Sequence, residues 1–84
     1  MSKLSDLPNI GPVVERQLHD VGIDTEEQLR AIGAKEAWLR IKAIDPSACP
    51  NRLYGMEGAI RGIKKTMLPS DVLSDLKNFA REKK

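Results

Sequence analysis

The chain is predicted to be all-α, five short helices packed irregularly into a single domain. Three observations predict this. Apolar residues recur at helical spacing from end to end, the breaks between those stretches fall on proline, glycine or capping residues, and no stretch alternates apolar with polar as a half-buried strand would. Eighty-four residues suffice for one domain and no more. A chain this short buries about 60–65% of its unfolded surface, enough for one core without covalent staples. With 40% hydrophobic and 31% charged residues, the composition is that of an ordinary soluble globule rather than a disordered tail.

The elements follow in order, roughly 12–21, 25–32, 34–44, 50–66 and 70–82. Leu7-Pro8-Asn9-Ile10-Gly11-Pro12 is the first break. Gly11 is expected to take a turn conformation closed to other residues, and Pro12 suits the first position of a helix. Val14, Leu18 and Val21 share a face, with Ile10 placed to staple Val14 and Gly22 to stop the helix in a left-handed conformation. Thr25 and Gln28 form a capping box for the second helix, and Glu26 and Glu27 favour its first turn through the helix dipole. Leu29 and Ile32 face inward before Gly33. The third helix carries Ala34, Ala37, Trp38, Ile41 and Ile44 on one stripe, and Asp45-Pro46-Ser47 breaks it.

The fourth helix starts near Cys49-Pro50, with Leu53, Met56, Ile60, Ile63 and Met67 on its apolar side. Beside them runs a small-residue stripe of Gly55, Gly58, Ala59 and Gly62. Three glycines within a helix cost about 2–3 kcal/mol relative to alanine. Close approach of another backbone would compensate, so this helix is expected to be central and buried. After Leu68-Pro69-Ser70, the residues Val72, Leu73, Leu76, Phe79 and Ala80 form the apolar face of a fifth helix, and Arg81-Glu82-Lys83-Lys84 is a solvated end.

Composition also excludes classes of function. A single cysteine, Cys49, forbids an internal disulfide, and no apolar run approaches the length of a membrane span or a secretory leader. A cytoplasmic, membrane-free protein is the expectation. The charge is divided: residues 1–34 hold three bases and six acids, a balance of −3, while the remainder holds eleven bases and six acids, a balance of +5. A nucleic-acid footprint would therefore lie mainly in the second half.

The string Leu7-Pro8-Asn9-Ile10-Gly11-Pro12, followed by Leu18, Gly22-Ile23-Asp24-Thr25 and Leu29, resembles a helix-hairpin-helix motif. In such motifs the hairpin and the following helix start present backbone N–H groups to a DNA phosphate, because a helix N-terminus carries unpaired donors and positive partial charge. A wider resemblance joins Val21-Gly22-Ile23, Leu29-Arg30-Ala31-Ile32-Gly33-Ala34 and, most specifically, Leu53-Tyr54-Gly55-Met56-Glu57-Gly58-Ala59-Ile60-Arg61-Gly62-Ile63, continued by Leu68-Pro69. Over about four-fifths of its length the chain is similar to the C-terminal domain of TfoX-type proteins, bacterial regulators of natural competence. That resemblance implies a five-helix fold of the SAM-like or helix-hairpin-helix-like kind and a regulatory role. Full-length members carry a further N-terminal domain, and this chain is expected to act without one.

Two groups of residues are candidates for phosphate contact: Asn9, Ile10, Gly11 and Val13 in the hairpin, and Arg61, Lys64 and Lys65, with Arg81, Lys83 and Lys84 as a candidate extension of the set, in the basic half. Against the hairpin stand Asn9 where DNA-binding versions carry a glycine, Val13 where many carry a base, and Glu15 where a small residue is usual. The favoured reading is a structural corner. For the basic group the favoured reading is equally plain: Arg61 pairs with Glu57 at i, i+4, and Lys64 and Lys65 answer a helix C-terminus. Trp38 is expected in the core, while Tyr54, beside the small-residue stripe, is a candidate to line a groove. Cys49 is expected to cap the fourth helix or to be buried. His19 has no companions at ligand spacing, so no metal is expected. No cofactor is expected either, because no nucleophile–base pair or phosphate-cradling glycine loop is present. The reading is a non-enzymatic regulatory or adaptor module that binds an unidentified protein partner or itself, the alternative being sequence-independent binding to the DNA backbone.

Overall fold

Helix starts and stops fall where local chemistry puts them. The computed structural model describes residues 4–83. A 3-10 turn, Leu4–Asp6, precedes α1 (Pro12–Asp20), α2 (Glu26–Ile32), α3 (Ala34–Ile44) and α4 (Pro50–Arg61); a second 3-10 turn, Lys65–Met67, leads into α5 (Ser70–Glu82). No strand occurs among the described residues, and the expected all-α, five-helix class is borne out. Pro12 and Pro50 each open a helix. Thr25 accepts the N–H of Gln28 at 3.1 Å while Gln28 Oε1 accepts the N–H of Thr25 at 3.2 Å, so the capping box is complete.

Glycine ends α1 and α4 in the same way. Gly22 sits at φ 85°, and the N–H of Ile23 reaches back to the Leu18 carbonyl at 2.8 Å. Gly62 sits at φ 73°, ψ 26°, and the N–H of Ile63 reaches the Gly58 carbonyl at 2.9 Å. Both are Schellman terminations, which a residue with a Cβ disfavours. The second corrects the expected span of 50–66: the apolar spacing runs on through Ile63 and Met67, but Gly62 turns the chain at Arg61. Only Gly55 and Gly58 of the supposed three therefore lie inside the helix. Met67, freed from that face, is 68% exposed, and Ile44, at the last turn of α3, is 54% exposed rather than on its buried stripe.

The core is one continuous cluster. Leu18, Ile23, Leu29, Ala37, Ile41, Leu53, Met56 and Ala59 have no exposed surface, and Leu4, Trp38 and Leu76 are 1% exposed. Helix α4 is the centre of it, packing on α3 most extensively and touching α2, α5 and the 65–67 turn. Its buried residues are Leu53, Gly55, Met56, Gly58 and Ala59. The radius of gyration, 11.6 Å, is that of one domain of this length, for which about 12 Å is expected. Trp38 anchors the layer between α3 and α5. Its ring meets Phe79 edge-on at 6.2 Å, and its Nε1 donates to the Cys49 carbonyl at 3.1 Å, so the buried indole N–H is satisfied.

Candidate functional site

The hairpin before α1 is a tight corner built on Asn9. Asn9 has φ 68°, the left-handed region that favours glycine and tolerates asparagine better than most residues. It thereby does the conformational work of the glycine usual at that position. Gly11, by contrast, is extended at φ −94°, ψ −178°, so the expectation that Gly11 needs a turn conformation is corrected: the left-handed residue is Asn9. The Asn9 side chain is fully engaged. Its Nδ2 donates to the Gly55 carbonyl at 3.3 Å and to the Ile63 carbonyl at 3.0 Å, and its Oδ1 accepts the Lys65 N–H at 3.1 Å. The close approach inferred for the glycine face is thus real, and the approaching group is this corner together with the chain after α4.

Of the other hairpin candidates, Ile10 is buried, and Gly11 and Val13 are exposed, Val13 by 64%. Glu15 is not idle at the start of α1: its Oε2 accepts the Ser5 N–H at 2.9 Å and ties the first 3-10 turn to the helix. Arg61 pairs with Glu57 at 2.6 Å. Lys64 and Lys65 are exposed but stand beyond the end of α4, in the connection to α5, rather than on a helical face shared with Arg61. Lys84, named with them, lies outside the described residues.

A polar cluster that sequence reasoning missed lies behind the corner. Asp45, just past α3, accepts from Gln17 Nε2 of α1 at 2.8 Å and from Arg52 Nη1 of α4 at 2.8 Å, and Arg52 Nη1 also donates to Gln17 Oε1 at 3.1 Å. The N–H and hydroxyl of Ser47 donate to the other carboxylate oxygen. These donors, Ser47 first and then Arg52 and Gln17, hold the Asp45 carboxyl well below its ordinary range. All the partners are internal, so the cluster acts as a clasp joining three helices.

Tyr54 lines a shallow cleft of about 300 Å³ between α3, α4 and α5, together with Trp38, Lys42, Ala48, Pro50, Lys77, Ala80 and Arg81. The Lys42 ammonium lies 4.9 Å from the Trp38 ring centroid and donates to the Lys83 carbonyl at 3.1 Å. Lys77 and Arg81 escaped the reading as a pair, although their i, i+4 spacing was the available signal. Cys49 occupies the N-cap of α4, as expected, but its thiol makes no cap hydrogen bond and is exposed, so the buried alternative is corrected. His19 Nδ1 meets Asp24 Oδ1 at 2.7 Å on the surface. Among the described residues no three His, Cys, Asp or Glu side chains gather as metal ligands would, and no helix is long and apolar enough to cross a membrane.

Known proteins of the same shape and sequence pattern place this arrangement. A crystal structure of an uncharacterized protein from Listeria monocytogenes, in a triclinic form, superposes with a TM-score of 0.95 at 43% identity, covering 96% of this chain and 92% of that one. A tetragonal form of a Listeria monocytogenes protein of unknown function gives 0.94 at 43% identity, covering 96% and 99%. Protein Sxy of Escherichia coli (strain K12) is 37% identical over 78 residues, 93% of this chain, and the chain spans only 37% of that protein's length. A family model described as the TfoX C-terminal domain matches residues 1–80. The resemblance read from the Leu53–Ile63 string is therefore borne out, and the chain belongs to the TfoX C-terminal domain family.

Proposed function

We propose that this chain is a non-enzymatic regulatory or adaptor module that acts by binding a partner protein. The observation that carries the reading is the internal engagement of Asn9. A hairpin whose apex side chain is bonded to Gly55, Ile63 and Lys65 is a corner of the fold, built to hold α1 against α4. Membership of a family that includes Sxy supports a regulatory role. Arg61 is neutralised by Glu57, and counterion-release binding needs several cationic contacts close together.

A second reading, contact with the DNA backbone through the hairpin, is favoured by one observation. Gly11 is exposed with open space where a Cβ would lie, immediately before the start of α1, whose first amides have no partner within the helix. Titration of fluorescent duplex DNA, followed by anisotropy at ~20 mM and ~150 mM salt, separates the two. The protein-binding reading expects no saturable signal at either salt, and a defined stoichiometric partner or self-association in affinity capture and sedimentation. Salt-sensitive duplex binding weakened by Lys64→Glu would overturn it in favour of DNA. A chain that stays monomeric and retains no partner would also overturn it.

A further inference from the structure

We propose that the cleft between α3, α4 and α5 binds a short acidic segment of a partner protein, one apolar side chain on its floor and carboxylates on Lys42, Lys77 and Arg81. The proposal rests on the protein-binding reading above and adds the chemistry of the partner. The floor and walls of the cleft are apolar: Trp38 is 1% exposed, Ala80 is 4% exposed, and Tyr54 is half-buried on α4. The charged groups on the rim all carry one sign. Lys42, Lys77 and Arg81 line the cleft and no carboxylate does.

Two of those cations are uncommitted. Lys77 and Arg81 are exposed one turn apart on α5, and no ion pair among the described residues engages either. Of the acids beside them on the same helix, Asp75 holds Lys35 at 2.7 Å instead, and Glu82, next to Arg81, makes no ion pair with either among the described residues. Like charges at i, i+4 oppose each other, so an anion laid across them removes a repulsion as well as adding attraction. Lys42 is positioned by its contacts with Trp38 and the Lys83 carbonyl, so its charge is held at the cleft. The polar side-chain groups offered to a ligand are then donors, plus the Tyr54 hydroxyl, and a carboxylate-rich segment supplies the matching acceptors.

A volume of about 300 Å³ seats one or two side chains, the scale of a peptide anchor. A nucleic-acid strand fits less well. Three cations neutralise few phosphates, and stacking needs exposed ring faces, whereas the indole here is buried.

The test is a titration of the full chain into a fluorescein-labelled peptide with a central leucine flanked by three glutamates on each side, at ~50 mM and ~150 mM salt. Saturable binding that weakens with salt is expected. The double substitution K77E/R81E should weaken it by at least about tenfold, equivalent to about 1.4 kcal/mol. The double substitution K64E/K65E, on the connection after α4, should change it by less than about twofold, and circular dichroism melts check that both variants fold. Absence of saturable binding at the lower salt overturns the proposal, as does an equal loss in the two double variants, which would mean unspecific charge attraction. Tighter binding of a single-stranded oligonucleotide, with the same dependence on Lys77 and Arg81, would transfer the cleft to nucleic acid. Capture of a protein partner undiminished by K77E/R81E would remove the cleft and leave the broader reading standing.

Discussion

Asn9 shows how one residue decides the geometry of the corner. Its left-handed backbone would strain most side chains, yet asparagine carries there an amide that satisfies two carbonyls and one N–H. The space opposite is supplied by glycine, and the two glycines of α4 do not share the burden equally. A Cβ at Gly58 would lie 2.6 Å from Asn9 Nδ2, 2.7 Å from the Ile63 carbonyl oxygen and 3.2 Å from the Lys65 nitrogen. A Cβ at Gly55 would meet Asn9 Cβ at 3.4 Å and its carbonyl oxygen at 3.6 Å, ordinary contact. Alanine gains about 1 kcal/mol over glycine in a helix interior, and overpacking costs about 1–3 kcal/mol when backbone must move. Gly58→Ala is therefore expected to destabilise by up to about 2 kcal/mol, because the Ile63 carbonyl is backbone and cannot swing away. Gly55→Ala should be neutral or stabilising by up to about 1 kcal/mol. Urea unfolding followed through Trp38 fluorescence measures both, and equal midpoints for the two variants would rule out this division of roles.

At the scale of elements, Asp45 does for α1, α3 and α4 what Asn9 does for the hairpin. Its carboxylate gathers donors from Ser47, Arg52 and Gln17, so the folded chain favours the ionised form and the pKa falls below its ordinary 3.8. The contribution to stability is accordingly present above about pH 4 and is lost as pH falls through that value toward the depressed one. Asp45→Asn is expected to lower the melting temperature near neutral pH and to flatten its decline between about pH 5 and about pH 2. An unchanged acid slope in the variant would show that the clasp does not titrate with folding. Apart from the Ser47 contact two residues from Asp45, the clasp was not legible in the sequence, and for Gln17 and Asn9 the reason is separation. Gln17 and Asp45 are 28 residues apart, Gln17 and Arg52 are 35 apart, and Asn9 reaches across 46, 54 and 56 residues to its partners. What was legible is local: Pro12, the Thr25–Gln28 box, Gly22 and Gly33 mark their helix ends within a turn. The end of α4 was misread because the apolar spacing of Ile60, Ile63 and Met67 outweighed a single Gly62. Ile44 was misplaced for a similar reason, since periodicity says which face a residue takes and not where the neighbouring helices stop. Tyr54 could be set beside the glycines from spacing alone, but Lys42, Lys77 and Arg81 meet around it only through tertiary packing.

The whole molecule is asymmetric in how firmly its helices are held. Helix α4 buries five residues and receives α2, α3, α5 and, through Asn9, the hairpin corner. Helix α5, with thirteen residues, buries only Leu76 and Ala80 and leans on Val72, Leu73 and Phe79, which are half-buried. Its polar tethers, Lys35 to Asp75 at 2.7 Å and Lys42 to the Lys83 carbonyl at 3.1 Å, are on the surface, where ion pairs contribute little. Local opening free energy follows buried apolar contact, so α5 belongs to the weaker end of the range and α4 to the stronger. Native-state hydrogen exchange is expected to show α4 amides exchanging only through global unfolding, with α5 opening at a free energy lower by at least about 1–2 kcal/mol. A single isotherm shared by α4 and α5 as urea is raised would refute this and make the domain one cooperative unit. The asymmetry also bears on the cleft. One wall of it, with Lys77 and Arg81, rides on α5, which is held less firmly than α4, so a ligand that binds only the closed form adds its binding free energy to the stability of α5. Saturating acidic peptide should therefore slow exchange in α5 while leaving α4, already limited by global unfolding, raised only by the same mass-action increment. Protection that rises in the 12–20 helix and not in α5 would instead locate the peptide at the hairpin.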